Sequence, residues 1–113
     1  MRVFHGTSMK CRPSLLVRGL EAGACVTTRR DLAETYAGYA VARDNLPASR
    51  GLLAVAAVDR ADLAPDPSSE PGEESFRLRR QIRPRLISIA LHPDAVREVR
   101  GFARASAPGS AAA

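Results

Sequence analysis

The sequence predicts an α+β domain built on a split, mostly antiparallel sheet flanked by short helices. Three observations lead there. The elements read in the order β-α-β-α-β-loop-β-β, without the regular βαβ repetition of a doubly wound fold. Neither G-x-G-x-x-G nor a P-loop occurs. A chain of 113 residues makes one domain, and this one needs no staples to bury a core.

Arg2 to Thr7 reads as a strand closed by Gly6-Thr7. Pro13 to Arg18 reads as a short helix, with proline early and Gly19 at its end. Ala24-Cys25-Val26-Thr27 is a second short strand. Asp31 is an expected N-cap, and Glu34 three residues on completes a capping-box pattern. Leu32, Ala33, Tyr36, Ala37, Ala40 and Val41 recur at helical spacing, so this second helix runs to about Asp44 and Asn45-Leu46-Pro47 breaks it.

Gly51 to Val58 is an unbroken apolar run, expected as a buried strand. Asp59 to Glu74 is expected as one long acidic loop, holding three prolines and six carboxylates. A loop of that length in so small a domain points to function or disorder. Ser75 to Arg79 alternates as a strand with one wet face, and Ile82-Arg83-Pro84 bends the chain. Leu86 to Leu91 is a further strand, and a short helix runs from Pro93 to about Val99. The domain is assigned to residues 1–102, with 103–113 expected as a disordered tail.

Charge is lopsided. The net charge is +5, carried by sixteen arginines and the single Lys10. Arginine's planar fork suits phosphate and carboxylate, so a dinucleotide, a nucleic acid or an acidic partner fits. Cys11 and Cys25 have no metal-like neighbours in sequence and read as free thiols of a reducing compartment. No signal segment is visible and no apolar run spans a bilayer, so the expectation is a cytoplasmic protein with no metal and no membrane role.

The most informative tripeptide is His5-Gly6-Thr7. A histidine followed by glycine at a strand end sets an imidazole beside a backbone that a flat ligand can approach. A histidine there can equally cap a backbone carbonyl. Val3-Phe4-His5-Gly6-Thr7-Ser8, Arg18-Gly19-Leu20, Val26-Thr27-Thr28, Asp31-Leu32-Ala33, Tyr36-Ala37 and Ile82-Arg83-Pro84-Arg85-Leu86-Ile87, in that order, resemble the ADP-ribosyltransferase superfamily. The nearer likeness is to its His-Tyr-Glu branch, which includes poly(ADP-ribose) polymerases, rifampin ADP-ribosyltransferase and the RNA 2′-phosphotransferases. The resemblance covers residues 2 to about 92.

It implies the ADP-ribosyltransferase fold and a transferase that consumes NAD as co-substrate and releases nicotinamide. His5 would donate a hydrogen bond to the adenosine ribose, and Gly6 would pair through its backbone with the carboxamide. Thr7 and Thr27 would lie beside that pocket. Tyr36 would stack on the nicotinamide ring. Glu74, opening the strand after the long loop, would be the catalytic carboxylate, completing a set with His5 and Tyr36. Asp66-Pro67 is the alternative, in the context that rifampin ADP-ribosyltransferase uses. Cys25 stands where the family usually has a second aromatic. The acceptor could be a protein, a nucleic acid or a small molecule, and a toxin of this kind could have a cognate antitoxin or inhibitor. An RNA 2′-phosphotransferase-like activity and a degenerate, nucleic-acid-binding module are the rival expectations.

Overall fold

A computed structural model describes residues 1–92. The expected helix after Pro93, the tail 103–113 and the domain boundary at 102 lie outside the described residues. Six strands form one sheet in the order β4-β5-β2-β1-β3-β6, every neighbouring pair antiparallel. They are β1 (Arg2–Ser8), β2 (Cys25–Thr27), β3 (Gly51–Ala57), β4 (Leu63–Pro65), β5 (Ser75–Leu78) and β6 (Arg85–Ile89). Two helices cross between them, α1 (Arg12–Arg18) and α2 (Arg30–Arg43). The predicted α+β class with an antiparallel sheet is the observed one.

Each face of the sheet has its own core, which explains the unbroken apolar run of β3. Leu52, Ala54 and Ala56 pack with Val3, Val26 and Leu15 of α1, while Leu53 and Val55 pack with Phe4 and with Ala33 of α2. A strand covered on both sides has no wet face, so polar alternation disappears.

α2 buries Ala33, Ala37, Ala40 and Val41, a small-residue face that lets the helix lie close on β1. At Gly6 that approach becomes absolute: a Cβ built there would stand 1.7 Å from the Ala33 carbonyl oxygen and 2.9 Å from the Ala37 nitrogen. Tyr36, expected on the apolar face, is 38% exposed and lies outside the core.

The start of α2 differs from the expected capping box. Arg29 occupies the N-cap without a side-chain cap, and its N–H donates to Thr27 Oγ1 at 3.1 Å. Asp31 therefore falls inside the first turn, where it pairs with Arg29 and suits the helix dipole, and Glu34 accepts from Arg30 Nε.

The long acidic loop is also shorter than expected. A turn at Arg60–Asp62, closed by Asp59 and Asp62, leads into β4, which pairs with β5 at the sheet edge. Pro65 is tolerated there because an edge strand needs no donor on its outer side. Arg79 and Arg83 are exposed, and each also ties two segments together: Arg79 Nε donates to the Leu63 carbonyl and Arg83 Nη1 to that of Leu16.

Candidate functional site

The site begins where β1 and β2 part. Their register consists of one pair, Phe4↔Thr27, whereas β1 runs paired with β3 along its whole length. Ladder alternation tells which backbone groups face the gap. Met1 and Val58 exchange both hydrogen bonds, so every second residue from there (Val3, His5, Thr7) bonds toward β3, and Phe4 and Gly6 turn toward β2. On the other side, Leu78 N–H bonds Ala24 O and Thr28 N–H bonds Glu74 O, so Cys25 and Thr27 turn toward β1. Gly6 thus presents its N–H and C=O to the opening, opposite Cys25, beyond the single registered pair. The strands part there because a side chain takes the ladder's place: His5 Nδ1 lies 2.7 Å from the Cys25 carbonyl oxygen. A carbonyl only accepts, so Nδ1 carries the proton and, in the neutral ring, Nε2 is an acceptor. The carbonyl-capping reading of His5 is the observed contact, and His5 also lines the opening.

The opening is a cleft of about 490 Å³. It is lined by His5, Gly6, Thr7, Thr27 and Tyr36, five of the six residues the sequence proposed. β1, β2 and α2 supply them, from positions spread over a third of the domain. Thr7 and Thr27 are nearly buried, and Thr27 Oγ1 donates to the Glu73 carbonyl at 2.9 Å. The Tyr36 ring is open to the cleft. Burial and the nearby Glu73 push its hydroxyl upward in pKa, so it stays protonated.

The sixth residue, Glu74, stands apart from this lining. Its carboxylate accepts from Thr28 Oγ1 on an exposed surface, and its backbone is held at φ 52° as the turn into β5. The carboxylate on the cleft is Asp66. Its side chain is only 3% exposed. Ser68 donates to Oδ1 through both hydroxyl and backbone N–H, the Cys25 thiol donates to Oδ2 at 3.2 Å, and Arg77 Nε lies 3.5 Å away. The Ser68 bonds, then the thiol and Arg77, hold the Asp66 carboxyl down near pKa 2. Its charge is therefore permanent at neutral pH. Burial, and then the same contact with Asp66, push the Cys25 thiol up to about 11, so Cys25 stays protonated as a donor here.

Three further residues line the cleft, of which sequence reasoning missed Tyr39 and Arg43. Tyr39 and Arg43 follow Tyr36 at three and seven residues along α2, and Arg77 lies opposite Cys25 on β5. Helical spacing from Tyr36 could have found the first two. The Tyr36 and Tyr39 rings lie 6.3 Å apart at 44°. Tyr39 thus brings a second aromatic to the cleft, though from the helix and not from the place Cys25 occupies.

Chemically, the cleft offers a flat exposed ring, an amide edge with both donor and acceptor, and a fixed negative charge. Those features fit a planar, cationic, carboxamide-bearing base. Among the described residues no group of three His, Cys, Asp or Glu is placed to hold a metal ion, and no helix is long and apolar enough to cross a membrane. Comparison with protein-family models, with curated protein sequences and with solved structures returns no match.

Proposed function

We propose that the chain is an NAD-dependent ADP-ribosyltransferase whose catalytic carboxylate is Asp66. The observation that carries this reading is the convergence of His5, Gly6, Thr7, Thr27, Tyr36 and Asp66 on one cleft. The dinucleotide supplies an electrophilic anomeric carbon and a neutral leaving base. Gly6 offers the carboxamide a donor and an acceptor on one backbone edge. Tyr36 stacks on the pyridine ring, a contact worth about 0.5–1.5 kcal/mol beyond area burial. His5 Nε2 accepts from a ribose hydroxyl, in place of the donation that the family resemblance implied. Asp66 faces the positive charge that develops on the sugar as the glycosidic bond breaks, and its fixed ionisation means no proton must leave first. Arg77 balances that charge in the resting cleft.

The test is nicotinamide release from NAD, with water as the default acceptor. Wild type releases nicotinamide, Glu74→Gln stays within about threefold, and Asp66→Asn falls by a factor on the order of 100 or more. No release by wild type overturns the reading.

Arg43 and Arg77 on the same cleft favour a second reading, an RNA 2′-phosphotransferase-like activity. Removal of a 2′-phosphate from RNA that survives Asp66→Asn and is lost in Arg77→Ala would establish it over the first.

A further inference from the structure

One end of the cleft is built for an anion. Arg43 lies in the last turn of α2 and lines the cleft beside Tyr39 and Ala40. Its side chain is 66% exposed, yet its guanidinium is anchored. Nε and Nη2 donate to the two oxygens of Asp44 at 3.1 and 3.2 Å. Asp44 is itself fixed. Its side chain is only 7% exposed and accepts from the hydroxyl of Ser8, which is fully buried at the end of β1. A buried serine on the sheet thus holds a buried carboxylate, which holds an exposed arginine, and Nη1 has no partner among the described residues. Lys10 donates its backbone N–H to the same Ser8 oxygen, and its charge acts on Asp44. Arg43, Lys10 and Asp44 sum to one net positive charge at this end. The other end carries Asp66 and Glu73, both of which act on the Tyr36 hydroxyl, against Arg77, and these sum to one net negative charge.

We propose that Arg43, oriented by the Ser8–Asp44 bracket, is the subsite for the pyrophosphate of the dinucleotide whose base rests on Tyr36. The inference rests on the reading of the cleft given above and adds the direction in which the ligand lies. Tyr36 and Arg43 share one helix stripe and differ by seven residues, about 10 Å along the axis. That is the scale of one nucleoside between base and phosphate. The cationic pyridinium then faces Asp66 and the anionic phosphates face Arg43, so the charge polarity of the cleft matches that of the ligand. An arginine already gripped by a carboxylate has lost its rotamer freedom, so binding has less ordering left to do.

Calorimetric titration of the full chain with three probes separates the parts. Arg43→Gln should weaken ADP-ribose and NAD about tenfold and leave nicotinamide unchanged, because a charge-assisted bond to phosphate is lost. Tyr36→Ala should weaken nicotinamide and NAD and spare ADP-ribose. Arg43→Lys, which keeps the charge but not the fork, should fall between wild type and Arg43→Gln for ADP-ribose. If ADP-ribose and NAD bind Arg43→Gln as they bind wild type, the subsite is overturned while the base site stands. If wild type binds neither nicotinamide nor NAD, the reading of the cleft fails and the subsite with it.

Discussion

Asp66 and Asp44 are two of twelve acidic residues in the chain, and both are drawn out of solvent and kept ionised by specific donors. Asp44 is held near pKa 2 chiefly by Arg43 and then by Ser8. Its unfolded value is about 3.9, so the folded state binds the proton less tightly than the unfolded chain does. The stabilisation is therefore fully present above about pH 4 and drains away as pH falls through the folded value. Asp44→Asn should flatten that acid limb, and urea midpoints measured between pH 5 and pH 2 will show it. The wild-type midpoint should fall steeply over this interval and the variant's less so, the remaining slope coming from Asp66. An equal slope in both would mean the Ser8–Asp44–Arg43 chain does not form. Residue chemistry of this kind was only partly legible in the sequence. His5, Gly6, Thr7, Thr27 and Tyr36 could be picked out because a motif names them. Charge and spacing alone do not distinguish Asp66 from the five other carboxylates between residues 59 and 74. The one signal was the Asp66-Pro67 pair, which the family resemblance offered as the alternative to Glu74; the Ser68 bonds that fix its Oδ1 appear only in the structure.

At the scale of elements, the site exists because α2 lies tightly on β1 while β2 does not stay beside it. Gly6 serves both relationships: it has no side chain where α2 passes, and its backbone edge faces the gap. Gly6→Ala should be severely destabilising, since the clash is with helix backbone and no side chain can yield. A cost of about 3 kcal/mol is expected for such overpacking, and a domain of this size would lose roughly 10–20 °C in Tm. A thermal melt within a few degrees of wild type would contradict the close packing of α2. Loss of ligand binding in that variant would report the lost packing as much as the lost site. β4 was the element hidden from the sequence. Three residues ending in proline carry no strand periodicity, and its existence depends on the partner β5 and on the turn closed by Asp59 and Asp62. That omission and the preference for Glu74 over Asp66 have one cause. Pairing Pro65 opposite Phe76 carries the next residue, Asp66, to the level of Ser75 and Thr27, two residues along the sheet face from Arg77 and Cys25, whose side chains reach its carboxylate.

For the whole molecule, the α+β class followed from the element order alone, because the lack of βαβ repetition leaves antiparallel pairing as the way to build the sheet. The strand order β4-β5-β2-β1-β3-β6 did not follow, since it is fixed by pairings between segments up to half the chain apart. That order puts the N-terminal strand near the centre and makes its loosest joint, β1 to β2, the mouth of the cleft. A second cavity, of about 280 Å³ and lined by Ser14, Leu15 and Leu20, meets His5 from the α1 side. Nicotinamide could enter either of these cavities, and of the two the one under α2 offers Tyr36 and the Gly6 edge. Titration of nicotinamide into the isotope-labelled chain, followed by amide chemical shifts, discriminates between them most directly. The expected result is a saturable shift shared by Gly6, Cys25, Thr27 and Tyr36, with Ser14 to Leu20 unmoved. Shifts confined to Ser14 to Leu20, or none at all, would contradict a base-binding cleft between β1, β2 and α2.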